Sequence, residues 1–465
     1  MTHTNQEFIF DSYSWSEDGR TLSFSYILGE HPFTEILELS SSITTLEEPV
    51  RHSVLFALHI ALGMSYWKTS CPKTLVVRSG ILSKDQADFW NTVYTKGLGE
   101  FFYHNEIDYR GLVQFPFSES AEVAPPVALE TEGILLPLGG GKDSALSLGL
   151  ISKHKDLQEL PLNTFSVNSY KIIAEQVKLF ETDHLTITRR IDKTLLELNE
   201  QGAYNGHVPI SVIYGLSAVL QAALTGRQYV VLSNERSANI GNVEYLGEEI
   251  NHQWSKSLEY ENMFQEYVHS YITPDITYFS FLRPLSELHI AKLFNHFVSD
   301  WLPHITSCNR NFRIAGDATQ RWCGECAKCV FVYIMFAPFI WPEQLIAAFN
   351  KNMFADESLL PLVEALVGKT EAKPFDCVGT VEEVTYALLQ ENVRNAEEYK
   401  NTPLIKYIET EIVPAYTTAQ INALQKEAFA YKKTETMPRE FSAALSQAVG
   451  LVDRLTTYQG IVDYN

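Results

Sequence analysis

Gly133-Ile134-Leu135-Leu136-Pro137-Leu138-Gly139-Gly140-Gly141-Lys142-Asp143-Ser144-Ala145-Leu146 is the stretch that decides the fold. A short apolar run ends at three glycines, and a helical pattern follows with Leu146 and Leu150 on one face. Glycine lets the backbone approach an anion closely, and the first turn of a helix offers unpaired N–H groups at a positive dipole end. Lys142 can add charge to that cradle, Asp143 can hold a magnesium ion, and Ser144 can donate to a phosphate oxygen while capping the helix. Downstream, residues 162–167, 184–188, 227–233 and 277–282 read as further strands. Helical stretches at 172–180, 210–224 and 287–297 lie between and after them. The alternation predicts an α/β fold, a doubly wound parallel sheet with helices on both faces. Ligands of such sheets bind outside the carboxyl ends of the strands.

Two familiar nucleotide loops do not fit. A Walker loop needs a glycine where Leu136 stands and a Ser or Thr where Asp143 stands. A dinucleotide fingerprint needs Gly or Ala where Ser144 stands. Gly139-Gly140-Gly141-Lys142-Asp143-Ser144 instead resembles the Ser/Gly-Gly-Gly-x-Asp-Ser signature of the PP-loop ATP pyrophosphatases. Such enzymes cleave ATP between its α and β phosphates, transfer AMP to a carboxylate or carbonyl oxygen, and release pyrophosphate. The resemblance implies ATP contacts at Gly139, Gly140, Gly141, Lys142, Asp143 and Ser144, with magnesium on Asp143. It also implies that Ser166 and Val167, ending the second strand, lie near the adenine. The bland alternative is a glycine-rich strand-to-helix turn without a ligand.

Ser233-Asn234-Glu235-Arg236-Ser237-Ala238 follows the strand at 227–232, where such a sheet presents polar side chains to its ligand. Glu235 can bind magnesium or act as a base, and Asn234 and Arg236 can hold a phosphate or carboxylate of the substrate. A solvated loop is the alternative. Lys142, Asp143 and Glu235 are thus the expected catalytic residues. His207, just before Pro209, is a lone histidine that reads as structural unless it faces the same cleft. Cys308 is followed by Cys323-Gly324-Glu325-Cys326-Ala327-Lys328-Cys329. Short Cys-x-x-Cys steps let neighbouring thiolates reach one ion, and the fourth cysteine completes a tetrahedron with no open position. Structural zinc is the expected occupant, with an iron–sulfur cluster or unliganded thiols as alternatives. The pattern resembles that of 7-cyano-7-deazaguanine synthase, another PP-loop enzyme.

The 465 residues are 45% apolar and 20% charged, ordinary for a globular chain able to bury a large core. A formal net charge of -21 opposes attraction to nucleic-acid phosphates, so no nucleic-acid partner is expected. The longest apolar run, 330–341, falls short of the roughly 20 residues a spanning helix needs, and it reads as a buried helix. With no basic leader in residues 1–10, and four of six cysteines crowded into 308–329, a reducing cytoplasm is expected and no membrane partner. Residues 1–126 read as an α+β domain, with strands at 8–10 and 21–28, a hairpin turn at 17–19 and a helix at 54–67. Residues 115–126 read as a linker, 127–342 as the nucleotide domain with the cysteine site, and 343–465 as a helical region.

Taken together, the strand segments of 8–28, Ala57-Leu58-His59-Ile60-Ala61-Leu62-Gly63-Met64-Ser65-Tyr66-Trp67-Lys68, the glycine loop, the 233–242 segment and Arg321-Trp322-Cys323 through Phe331 resemble one family along nearly the whole chain. It is the UDP-N-acetyl-α-D-muramoyl-L-alanyl-L-glutamate epimerase family of bacterial peptidoglycan synthesis. The resemblance implies a UDP-linked muramoyl dipeptide as substrate, ATP and magnesium as requirements, and AMP and pyrophosphate as products. The chemistry is coherent: an ionised α-carboxylate resists loss of the adjacent proton, and adenylation removes that charge so that the carbanion can delocalise. The acid–base pair is not assigned. Cys71 and Cys377 lie outside the metal cluster and are candidates, with buried free thiols as the plainer reading. Alternatives are another PP-loop activity, nucleobase-modifying or amide-forming, and a non-enzymatic nucleotide-binding protein. Thr2 after Met1 supplies no glutaminase cysteine for the amide-forming case.

Overall fold

The computed structural model describes residues 6–121, 125–312, 320–370 and 373–458. Four strands come from the first third of the chain: β1 Glu7–Trp15, β2 Thr21–Leu28, β3 His31–Glu38 and β4 Thr74–Val77. They are followed by β5 Ile134–Pro137, β6 Leu162–Val167, β7 His184–Arg190 and β8 Tyr229–Leu232, then β9 Val243–Tyr245, β10 Glu248–Ile250 and β11 Thr277–Ser280. β9 and β10 make a small hairpin of their own. The rest form one sheet in the order β11-β8-β5-β6-β7-β3-β2-β1-β4. From β11 to β7 every pairing is parallel, and β7, β3, β2 and β1 then pair antiparallel.

Strand periodicity explains the layers, because successive side chains point to opposite faces. In β5, Ile134 and Leu136 join one core with Val231 and Phe279, while Leu135 joins the other with Phe165, Val230 and Tyr278. The first core continues through helices Lys142–Lys153, Glu287–Val298 and Ala327–Phe336 into the last helix, Arg439–Tyr458. The second lies under helices Glu48–Trp67 and Ile210–Thr225. Gly63 seats the former helix, since a Cβ there would collide with the ring of Phe10. The β1–β2 turn is built as its sequence suggests: Gly19 takes a φ of 69°, and Asp18 accepts from Ser16 Oγ at 2.6 Å and from the Arg20 N–H at 3.0 Å.

A mixed α/β architecture, a sheet dominated by parallel pairings and a helical C-terminal region agree with the sequence reading. The strands of the first third, however, are in the same sheet as the parallel strands, joined through β3 and β7. Pro32, Glu35 and Glu38 blur the apolar pattern of β3, which owes its conformation to pairing on both sides. The expected linker at 115–126 lies partly outside the described residues, and its first residue, Phe115, is buried. The apolar run near residue 330 is a buried helix, and among the described residues no helix is long and apolar enough to cross a membrane.

The β3–β7 seam holds a charge pair. Arg189 donates through Nε to the Glu35 carboxylate and through Nη2 to Ser65 Oγ at 3.2 Å, and both charged side chains are almost wholly buried. Glu35→Ala leaves the Arg189 charge buried without a counter-ion, so it should destabilise the fold by about 3–5 kcal/mol. Removing the exposed partner in the neighbouring pair, Arg190–Glu38, by Glu38→Ala should cost less than about 1 kcal/mol. Urea unfolding of the two variants checks the contrast.

Candidate active site

Four parallel strands bring their carboxyl ends to one edge of the sheet. β5 runs into residues 138–141, β6 into Asn168, β8 into 233–235 and β11 into 281–287. The strand order reverses at β5, with β6 and β7 to one side and β8 and β11 to the other, which opens a crevice there.

Each glycine of the loop has its own reason. Gly140 adopts a φ of 81°, and a Cβ there would press on the Phe312 ring at 3.0 Å. Its carbonyl accepts from Gln176 Nε2 and from the Thr306 N–H, both at 2.8 Å. Gly139 faces open space, and its N–H donates to Ser144 Oγ at 3.3 Å. Gly141 begins helix Lys142–Lys153 with no side chain capping it, so the first-turn N–H groups are available to an anion.

Lys142 is buried and donates to Asp143 Oδ1 at 2.5 Å and to the Glu287 carboxylate. Burial pushes the Glu287 carboxyl up to about 8, against the pull of Lys142, with Asp143 and Glu235 pushing the same way. Glu383 is raised too, by burial, although it accepts from the N–H groups of Thr380 and Glu287. Lys142, Asp143 and Glu235 are therefore brought together as expected, in company with Glu287 and Glu383. Arg283, fully buried, stitches the adjoining loops by donating to the carbonyls of Glu235 at 2.7 Å and Lys256 at 2.5 Å and to Glu261 at 2.8 Å.

Other expected residues have different surroundings. Asn234 Nδ2 donates to Ser280 Oγ at 3.0 Å. The Arg236 guanidinium donates to the carbonyls of Ala430 and Glu427, and with Glu383 and Lys432 it lines a cavity of about 520 Å3. Ser166 Oγ donates to the Asn168 carbonyl at 3.0 Å and lies 2.9 Å from His184 Nε2; Val167 is buried in the second core. His207 is no lone histidine: it lies beside His252, and both face Glu100.

The sulfurs of Cys308, Cys323, Cys326 and Cys329 lie within 4.8 Å of one another, close enough to hold one metal ion. Cys326 begins helix Ala327–Phe336, and Cys308 lies two residues after Thr306, whose N–H binds Gly140. The cluster thus adjoins the segment that buttresses the glycine loop. Of the remaining cysteines, Cys71 is buried and pushed up to about 12 by that burial. Cys377 is only half-buried, and Lys256 Nζ donates to its sulfur at 3.1 Å.

Glu287, Glu383, Lys256 and Arg283 were missed by the sequence reading. The run Arg283-Pro284-Leu285-Ser286-Glu287 follows β11 as Ser233–Glu235 follows β8, so the same rule finds it. Ser286 accepting from the His289 N–H makes Glu287 look like an ordinary first-turn acid.

Kinship with known proteins accords with this geometry. Residues 1–281 match the family described as MurL N-terminal domain, and residues 304–423 match MurL C-terminal domain. A Micromonospora sp. protein named UDP-N-acetyl-α-D-muramoyl-L-alanyl-L-glutamate epimerase is 36% identical, over 95% of this chain and 98% of its own length. Proteins of the same name from Salinispora tropica and Xanthomonas oryzae pv. oryzae are 39% and 36% identical, covering 82% and 77% of this chain and 84% and 78% of theirs.

Gly140→Ala should destabilise the fold by about 1–2 kcal/mol, the cost of a left-handed alanine, with the Phe312 contact adding to it. Urea unfolding against Gly139→Ala, which meets open space, measures the difference.

Proposed function

Given that the chain belongs to the MurL family, we propose that it epimerises the terminal L-Glu of UDP-N-acetylmuramoyl-L-Ala-L-Glu to D-Glu for peptidoglycan synthesis. In this reading ATP adenylates the glutamate α-carboxylate, AMP and pyrophosphate leave, and the work is done in the cytoplasm. The observation that carries it is the match to epimerase relatives along most of the chain. Support for the ATP half comes from the uncapped helix N-terminus behind three glycines.

Phosphates fit the loop because no side chain caps the first turn of helix Lys142–Lys153 and the open space at Gly139 lets it be approached. Lys142 draws Asp143 and Glu287 to fixed positions at the mouth. Magnesium fits a site with this surplus of carboxylates; bound by Asp143, with Glu235 nearby, it would neutralise charge on the departing pyrophosphate. Ser144 steadies the loop, Ser166 and Val167 border the nucleotide, and Asn234 faces the substrate. Arg236 braces segment 427–430, which closes the cavity beside it. Four thiolates fit structural zinc, which would hold the segment of Thr306 and Cys308 against the loop.

The deciding experiment runs the reaction in heavy water with ATP and magnesium. The product should be the D-Glu epimer with deuterium at its α-carbon, with AMP and pyrophosphate formed in parallel. A β,γ-bridged ATP analogue should support the reaction and an α,β-bridged one should not. Exchange without ATP would remove the adenylation step from this reading. ATP cleavage without α-deuterium would favour an adenylating ligase.

Metal analysis should find about one zinc per chain in a colourless protein. Cys326→Ser, or extraction of the metal, should lower the melting temperature more than a surface substitution does, because the ion contributes to folding. Iron, or a visible charge-transfer band, would replace zinc with a cluster.

A further inference from the structure

Proton transfer at the α-carbon needs a group that none of the residues around the glycine loop supplies. Lys142 is enclosed between two carboxylates, and a carboxylate base would meet an anionic transition state among other anions. Segment 373–383 brings different chemistry to the same mouth. It crosses the carboxyl ends of the strands, tied down by Asn242 Nδ2 donating to the Pro374 carbonyl at 2.9 Å and Asn309 Nδ2 donating to Asp376 at 2.6 Å. Asn309 follows the metal ligand Cys308, and Glu383 binds the Glu287 N–H, so the segment is anchored on both sides of the site.

Cys377 sits on this segment as a half-buried residue. Lys256 Nζ donates to it at 3.1 Å, and His252 is near enough for its charge to act on the sulfur. The other face of the relay is fixed: His252 Nδ1 donates to the Glu100 carboxylate, which also lies 3.1 Å from His207 Nδ1. A thiol, a histidine and an orienting carboxylate in series are the arrangement that activates a sulfur for chemistry. The charges agree with the geometry. Burial opposes a thiolate here, but Lys256, Lys328 and His252 outweigh it and hold Cys377 well below the ordinary thiol range. His252 is correspondingly raised to about 9: burial opposes its charge, and Cys377 and Glu100 outweigh that. Lys256 also feels the charges of Glu235 and Asp143, which links this group to the loop. Lys373, four residues before Cys377 on the same segment, is half-buried and feels the charges of Glu383, Glu235, Glu287 and Cys377.

We propose that Cys377 is the catalytic base at the glutamyl α-carbon, positioned by Lys256 and the His252–Glu100 pair, with the Lys373 ammonium returning the balancing proton. The assignment rests on the adenylation reading above. In the step, the Cα–H bond breaks and an S–H bond forms, the electron pair delocalising into the adenylated carboxyl group. A proton from Lys373 then reaches the opposite face of the carbon, leaving a neutral amine and a thiol. Exchange with solvent restores the thiolate and the ammonium, and hydrolysis of the acyl phosphate releases AMP.

Cys377→Ser tests this in a single turnover with UDP-N-acetylmuramoyl-L-Ala-L-Glu, ATP and magnesium in heavy water. Epimer formation should fall at least about 100-fold, the range of a lost acid–base group. Pyrophosphate release should stay within about threefold of the unaltered enzyme, since it accompanies adenylation, which precedes proton transfer. Lys373→Met should show the same split. Epimerisation by Cys377→Ser at near the normal rate would overturn the assignment, whereas loss of AMP formation from the unaltered enzyme would overturn the adenylation reading instead. If the variant does not fold, iodoacetamide on the native enzyme decides: alkylation mapped to Cys377 should abolish epimerisation, and substrate with the α,β-bridged ATP analogue should protect it. Alkylation of Cys377 that leaves epimerisation intact, or a second bound metal ion that Cys377→Ser removes, would refute the proposal.

Discussion

The ammonium of Lys142 is the constraint around which the site is arranged. A buried cation is tolerated only where anions meet it, and here Asp143 on its own helix and Glu287 on another close around it. That requirement fixes the helix after β11 against the helix after β5. Glu287 in turn offers its N–H to Glu383, so the same contact tethers a C-terminal helix to the mouth of the sheet. Three segments, at Lys142, Glu287 and Glu383, meet around this one charge although they lie far apart along the chain.

The surroundings of that cation are overloaded with acid. Glu235, Glu287 and Glu383 are all buried beside it, and the last two are held above the ordinary carboxylate range. Such a cluster binds protons or divalent cations in preference to standing fully ionised. The glycine loop, by contrast, offers only N–H groups and a positive helix end. The two halves of the site are complementary in charge. The cysteine cluster enters this scheme at a distance, since the irregular segment that leads into Cys308 supplies the Thr306 N–H that steadies Gly140.

A second buried pair, Glu35 with Arg189, does the corresponding work for the sheet. It lies where antiparallel β3 meets parallel β7, and it ties the seam to helix Glu48–Trp67 through Ser65. The parallel strands and the N-terminal strands therefore share one continuous framework, and helix Ile210–Thr225 packs against the N-terminal helix on one face of it.

What the sequence by itself determined is what depends on neighbours along the chain. Short strand-like runs marked β5, β6, β7, β8 and β11, the glycines before Lys142 marked an open helix start, and Cys-x-x-Cys steps with Cys308 marked the four clustered sulfurs. Each follows from local geometry: strand alternation, the unpaired first turn of a helix, or the reach of short loops. What only the tertiary structure decided is which distant charges meet. Glu287 reads locally as a first-turn acid, Cys377 as a stray thiol and His207 as a lone histidine. Their surroundings appear only when the strand order brings the ends of β5, β8 and β11 to one edge and segment 373–383 folds across them. Pairing of β3 with β7 escapes the sequence for the same reason, because strand partners are selected by packing and hydrogen bonding over long separations, and no pattern within either strand encodes its neighbour.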